Sequence, residues 1–160
     1  MILRSLRAVR YMGYTKITEK NFIIKAPQSK VWNSLGPALL NSPIGFEKIE
    51  VLDEYHVCAE AHIRIAFVPL TIRLMVVFLE LDEPQRMVVA LNAKVLKGLF
   101  RLNQRITFEL NSRSDKHTEV RCESLAEVNH PILYRMIAKK VRALVEMTLI
   151  NIEGTLRRIT

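Results

Sequence analysis

The 160-residue sequence has few of the residues that build several common kinds of protein. Its two cysteines, Cys58 and Cys122, are too few for a disulfide scaffold or a four-cysteine zinc module. Five glycines and six prolines exclude a low-complexity chain. Its uncharged runs stop far short of the roughly 20 residues that a transmembrane helix needs. Because 49% of the residues are hydrophobic, the composition predicts one folded domain of ordinary size.

Aromatic residues are also scarce, at 7% of the chain, whereas positive charge is in excess. The 24 Lys and Arg residues against 16 Asp and Glu give a net charge of +8, which favours anionic partners. Nucleic-acid binding needs stacking aromatics among the cations, and the basic clusters of this chain lack them. We therefore predict that the protein does not bind nucleic acid. An anionic membrane surface or a partner enzyme is the expected partner of its basic residues.

The first 14 residues form a basic extension in which Arg4, Arg7 and Arg10 are spaced among apolar residues. The arginines interrupt the apolar run that a signal peptide requires. We predict that residues 1–14 lie outside a single domain formed by residues 15–160. Two interpretations stay open for this extension: a loose terminus, or a short amphipathic helix on an anionic surface. Lys139 and Lys140 of the last predicted helix complete the set of expected docking residues.

The body of the sequence is mostly patterned as strands. Apolar alternation and turn residues predict strands over residues 15–25, 44–52, 55–67, 70–81, 86–95, 99–110 and 117–128. After the first strand, Gln28–Leu35 is predicted to form a short helix that Gly36-Pro37 ends, with a second short turn at Ala38–Leu40. From Pro131 onward, apolar residues recur every three or four positions, which predicts one helix of nearly thirty residues.

This order of elements predicts an α+β fold. The expected architecture is a curved antiparallel sheet of six to seven strands around a long C-terminal helix, with two short helices after the first strand. The side chains expected on the inner face of the sheet are small; they are Ala59, Ala61, Val89, Ala93, Cys122, Ser124 and Ala126. Because few aromatics are available to fill the space, we expect a cavity between the sheet and the long helix.

Three segments resemble a known family. Residues 22–27 (FIIKAP), followed by Val31-Trp32 and Leu35, resemble the strand-to-helix opening of the START-like (SRPBCC) superfamily, which includes polyketide cyclases and Bet v 1-type proteins. Residues 81–86 (LDEPQR) resemble its mid-sheet turn, and residues 118–120 (TEV) resemble its penultimate hairpin. The resemblance runs from about Thr18 to Ile159 and is nearest to the branch named after a carbon monoxide dehydrogenase subunit.

This resemblance implies a helix-grip fold with a hydrophobic cavity. Most members of the superfamily bind lipids, quinones, sterols or polyketides, and a minority catalyse reactions on them. The resemblance therefore makes a ligand-binding protein the first expectation and an enzyme the second.

Polar residues at otherwise apolar positions are the predicted ligand contacts. Gln104 and Ser124 fall on apolar faces, Asn92 does so if the strand register shifts, and Arg73 lies among apolar neighbours. A polar group in an apolar cavity orients a ligand, although such groups also pair with one another in ordinary cores. The full set of cavity candidates is Arg73, Asn92, Gln104, Cys122, Ser124, Tyr134, Met136 and Met147.

The histidines are not predicted to form a metal site. His56, Cys58 and His62 share one strand face, but the two histidines are about 20 Å apart on an extended strand. His117 is predicted in a hairpin loop and His130 in the cap of the last helix. Since no catalytic or nucleotide-binding motif is present, we predict no metal, no cofactor and no catalytic residue.

Together these observations predict a cytoplasmic protein that binds a hydrophobic small molecule and carries or sequesters it without covalent chemistry. Two cysteines outside any motif suit a reducing compartment. Three alternatives stay open: an enzyme of the cyclase or dehydratase type, an accessory protein docking on a redox enzyme, and peripheral attachment to a membrane surface.

Overall fold

The computed structural model describes residues 15–40, 46–65, 67–95, 100–128 and 131–159. The predicted docking residues Arg4, Arg7 and Arg10 lie outside these ranges, and so does His130. Within them the chain forms seven strands and two helices. In chain order these are β1 (Thr15–Ile24), α1 (Gln28–Leu40), β2 (Phe46–Val51), β3 (His56–Ile65), β4 (Val68–Asp82), β5 (Arg86–Val95), β6 (Phe100–Ser114), β7 (His117–Val128) and α2 (Pro131–Arg157).

The seven strands form one antiparallel, curved sheet in the order β1-β7-β6-β5-β4-β3-β2. Consecutive strands from β2 to β7 are neighbours, and β1 pairs with β7 to complete the sheet. The long helix α2 is the final element, and it contacts β1, β7 and α1. The predicted architecture of a curved sheet with a long C-terminal helix is thus confirmed.

Buried side chains between the sheet and the helices form two clusters. The larger cluster joins α1, the C-terminal half of α2 and the sheet, and it includes Leu35, Phe108 and Ile152. The smaller cluster consists of Ile17, Ala126 and Val145, with the partly buried Leu102 packed against it. The apolar periodicity of α2 therefore serves to hold it against the sheet, as expected for an amphipathic helix.

The prediction of two short helices after β1 is wrong, because α1 is one helix that continues through Pro37. Proline lacks the backbone N–H that would bond to the carbonyl of Asn33, so it usually ends a helix. Here Ala38 and Leu39, which follow the proline, are 1% and 2% exposed and belong to the larger cluster. Their burial stabilises the helical continuation and offsets the missing hydrogen bond.

Two strands extend further than the sequence predicts. The polar residues 111–116 predict a loop, but β6 continues to Ser114, where it pairs with His117. Pro69 predicts a break before β4, yet it lies within that strand and pairs with Arg64. The pairing between β4 and β5 begins only at Arg73, so Pro69 lies beside β3 but not beside β5. The missing N–H of the proline is therefore not needed for pairing with β5.

Candidate functional site

Strand register decides which side chains of the sheet face α2. Residues paired across antiparallel strands lie on the same face. Ile106 of β6 pairs with Ser124 of β7 and with Val89 of β5, while Gln104 pairs with Ala126 and Leu91. The apolar partners are all buried, so these rows form the inner face of the sheet.

Gln104 and Ser124 are brought together on this inner face. Gln104 Nε2 donates a hydrogen bond of 2.9 Å to Ser124 Oγ. Ser124 has no accessible surface, whereas Gln104 is half-buried. A glutamine amide carries two N–H groups and a carbonyl oxygen. One N–H is used by Ser124, and among the described residues no further hydrogen bond of the Gln104 side chain is seen, so its carbonyl oxygen and second N–H can serve a ligand.

Cys122 also faces inward, but it belongs to the core. It is fully buried within the larger cluster and pairs in register with Phe108. Burial is the main cause that raises the pKa of its thiol to about 12. A thiol with such a pKa stays protonated at neutral pH and is a poor nucleophile. Cys122 therefore gives this face no reactive sulfur.

The prediction that Arg73 and Asn92 contact a ligand in the cavity is wrong, because both residues lie on the outer face of the sheet. Asn92 pairs with Met75 and Asn103, so the register shift that would turn it inward does not occur. Arg73 pairs with Glu60 and Lys94, and its side chain is 83% exposed with Nε 3.9 Å from Glu60 Oε1. Neither residue belongs to the group around Gln104.

Of the three cavity candidates on α2, the structure describes the side chain of Met147 alone. Met147 is 51% exposed, so in this structure it faces solvent more than the sheet. Tyr134 and Met136 lie in the N-terminal half of α2, and their side chains are outside the described residues. That these two line a cavity stays a prediction.

An ion pair that the sequence reasoning missed lies at the edge of the inner face. Lys20 Nζ of β1 is 3.4 Å from Glu153 Oε1 of α2, and both side chains are half-buried. Glu153 also approaches Arg157, whose Nη1 donates a hydrogen bond of 3.1 Å to the carbonyl of Ile23. These contacts fasten the end of α2 to β1. Phe22 and Ile24 face inward at every second residue, and the same alternation in the sequence could have placed Lys20 on this face.

The two histidines of β3 contact different residues and do not approach a common site. His56 Nδ1 lies 2.8 Å from Asp53 Oδ1, and His62 Nδ1 lies 3.2 Å from Thr71 Oγ1. Among the residues that the structure describes, no cluster of His, Cys, Asp or Glu could hold a metal ion. In the same part of the chain, neither helix is both long enough and apolar enough to cross a membrane.

The predicted docking residues of α2 are described in part. The side chain of Lys139 is exposed, whereas that of Lys140 lies outside the described residues. Arg135 and Arg142 are exposed as well. These three exposed cations stand at positions i, i+4 and i+7, which share one helix face.

Comparison with known proteins identifies solved structures that are similar to this one. No family model and no curated protein matches the sequence. A conserved protein from Geobacillus kaustophilus is similar in structure, with a TM-score of 0.69 and 19% identity over 88% of this chain and 94% of that one. A START superfamily protein from Mycobacterium smegmatis has a TM-score of 0.62 and 12% identity over 89% and 98%. The Zhui aromatase/cyclase from Streptomyces sp. R1128 has a TM-score of 0.57 and 16% identity over 92% and 96%.

At such low identities the likeness concerns the fold alone. It extends over most of both chains in each comparison, so it covers the sheet and the long helix together. Assignment to the branch named after a carbon monoxide dehydrogenase subunit is not tested by these matches and stays a prediction. The chain has the START-like helix-grip fold.

Proposed function

We propose that the protein binds a hydrophobic small molecule, such as a lipid, a quinone or a polyketide-like compound, between the sheet and α2. It would act as a non-covalent carrier or sequestering protein. The observation that carries this proposal is the half-buried amide of Gln104, whose described neighbours on the inner face, apart from Ser124, are apolar or small.

Ligand pockets in proteins are mostly apolar and contain a few polar groups that fix orientation. Ala93 and Leu102 lie beside Gln104 on the inner face, and they keep a little accessible surface. Ser124 is fully buried and orients the amide by accepting one of its N–H groups. This arrangement suits a ligand whose body is apolar and which carries one carbonyl or hydroxyl group for Gln104.

An enzyme of the cyclase or dehydratase type is the alternative, and the fold shared with an aromatase/cyclase supports it. General acid–base catalysis needs a titratable group within hydrogen-bond reach of the substrate. Of the titratable groups described on the inner face, Cys122 stays protonated, and Lys20 and Glu153 are paired with each other at its edge. This chemistry favours a binding protein over an enzyme.

Replacing Gln104 tests the proposal. Purified protein is dialysed to equilibrium against menadione, a small apolar quinone with carbonyl acceptors. Gln104→Leu should weaken its binding by about 2- to 10-fold, because one hydrogen bond of about 0.5–1.5 kcal/mol is lost. Asn92→Leu is the matched control, since it replaces a half-buried amide on the opposite face.

Two results would overturn the carrier proposal. One is equal menadione binding by the wild type and Gln104→Leu. The other is native mass spectrometry of protein purified from its own host that finds no retained small molecule.

We also propose that the exposed basic stripe of α2, formed by Arg135, Lys139 and Arg142, contacts an anionic membrane where cargo is collected. Each such cation is worth about 1 kcal/mol near an anionic surface, so changing all three to Gln should lower vesicle binding on the order of 100-fold. Flotation with phosphatidylcholine vesicles, with and without phosphatidylserine, measures this.

The matched control for the stripe is the triple change of Arg73, Lys94 and Arg101 to Gln. These residues form one row across the outer face of the sheet, so the net charge changes equally. Equal loss in both triple variants would show that net charge alone matters. If the wild-type protein floats equally with vesicles that contain or lack phosphatidylserine, the partner-enzyme alternative is favoured instead.

A further inference from the structure

A concave surface lies between α1 and the turns at one end of the sheet. It is an open pocket of about 320 Å³, at the small end of the range for ligand sites. Trp32 and Pro37 of α1 form one wall, and Phe78, Leu81 and Met87 form the opposite one. The pocket is separate from the group around Gln104, which pairs with strands nearer the other end of the sheet.

The wall formed by α1 contains a backbone acceptor without its usual donor. Asn33 would normally accept a hydrogen bond from the N–H of residue 37, and proline has none. Both Asn33 and Pro37 line the pocket. Pro37 therefore supplies no N–H to the carbonyl of Asn33 in this wall.

Glu54 lines the pocket from the turn between β2 and β3. Asp53 orders this turn, because its Oδ1 accepts the backbone N–H groups of Tyr55 at 2.7 Å and His56 at 2.9 Å. The His56 ring hydrogen-bonds to the same carboxylate and, with these N–H groups, lowers the pKa of Asp53. The turn is further tied to β4 by the N–H of Phe78, which donates to the carbonyl of Tyr55 at 2.8 Å.

Glu83 lines the pocket from the turn between β4 and β5. Gln28 of α1 fastens this turn, since its Nε2 donates to the carbonyl of Pro84 at 3.2 Å and to that of Leu110 at 2.9 Å. Arg86, just after the turn, is paired with Glu80 and with Glu109. Its positive charge is therefore already compensated next to the pocket.

We infer that this pocket binds a small organic cation, an ammonium group carried on an aromatic or aliphatic body. The described lining holds two carboxylates but no Lys, Arg or His, although the chain as a whole has a net charge of +8. The carboxylates of Glu54 and Glu83 suit the N–H donors of an ammonium group, and the indole of Trp32 adds attraction for a cation. The apolar wall takes the body of the ligand.

Trp32 makes the proposal directly measurable, because it is the one tryptophan of the chain. Its fluorescence is titrated with 2-phenylethylammonium and, separately, with 3-phenylpropionate, which has the same body and the opposite charge. We expect a saturable change with the ammonium ion and binding at least about 10-fold weaker for the carboxylate.

The double variant Glu54→Gln with Glu83→Gln should weaken 2-phenylethylammonium binding by about 10-fold, the upper end of what two exposed carboxylates contribute as ion pairs. The control double variant, Glu123→Gln with Glu146→Gln, makes the same change in net charge away from the pocket and should bind like the wild type. Gln104→Leu should also bind 2-phenylethylammonium like the wild type, which separates this site from the proposed carrier site.

Three outcomes would overturn the inference: no saturable change in Trp32 fluorescence, equal binding of 3-phenylpropionate, or equal weakening in both double variants. Thermal unfolding of each variant shows whether it is folded. If the double pocket variant does not fold, Glu83→Gln alone tests the same carboxylate effect.

Discussion

Ile152→Ala is expected to lower the free energy of unfolding by about 2–5 kcal/mol. Ile152 lies on the face of α2 that packs into the larger core cluster, and it has no accessible surface. Removing its side chain loses apolar burial and leaves a cavity beneath the helix. Urea denaturation followed by circular dichroism measures the change.

Ile150→Ala is the matched control, because Ile150 lies on the same helix and is 57% exposed. It should change the free energy of unfolding by less than about 1 kcal/mol. Similar losses in the two variants would mean that α2 does not pack against the sheet through Ile152.

Thr118→Val is expected to cost about 1–3 kcal/mol of stability, although the two side chains have nearly the same shape. Thr118 Oγ1 donates a hydrogen bond of 2.8 Å to the carbonyl of Ala26, and both residues are buried. Valine removes the donor and leaves this carbonyl without its side-chain partner inside the core. The same urea denaturation measures the loss.

Two further variants separate the hydrogen bond from other effects. Thr118→Ser keeps the hydroxyl and should lose only about 0.8 kcal/mol, the burial of one carbon. Thr107→Val makes the original change at a half-buried position of the outer face and should stay within about 0.5 kcal/mol of the wild type. If Thr118→Ser is as unstable as Thr118→Val, the hydrogen bond to Ala26 is not what stabilises this site.

The bond between Thr118 and Ala26 matters for the cation pocket. Ala26 stands at the junction between β1 and α1, and residues 26 and 118 are far apart in sequence. The contact fixes the start of α1 over the sheet. The position of α1 in turn sets Trp32 and Pro37 against the wall of the cation pocket.

Where strands alternate clearly, the sequence predicted the inner face correctly. In β6 and β7 the apolar positions recur at every second residue, which placed Gln104 and Ser124 together on the face that packs against α2. The bounds of β5 and β7 were also predicted residue by residue. Alternation and turn residues are local properties, so they can be read without the fold.

Where both faces of a strand are apolar, the sequence could not decide. The run IRLMVVFL in β4 has no alternation, and the prediction that Arg73 faces the cavity is wrong, because its pairing with Glu60 and Lys94 places it on the outer face. Asn92 in β5 was settled in the same way by its partners Met75 and Asn103.

The sequence alone thus determined the α+β class, the long final helix, the small inner side chains and the polar positions of β6 and β7. The tertiary structure decided the continuation of α1 through Pro37, the pairing of Lys20 with Glu153 and the pocket that combines Trp32 with two distant turns. The physical reason is that each of these depends on contacts between segments far apart in the chain, and their burial energy outweighs the local preference that a sequence pattern records.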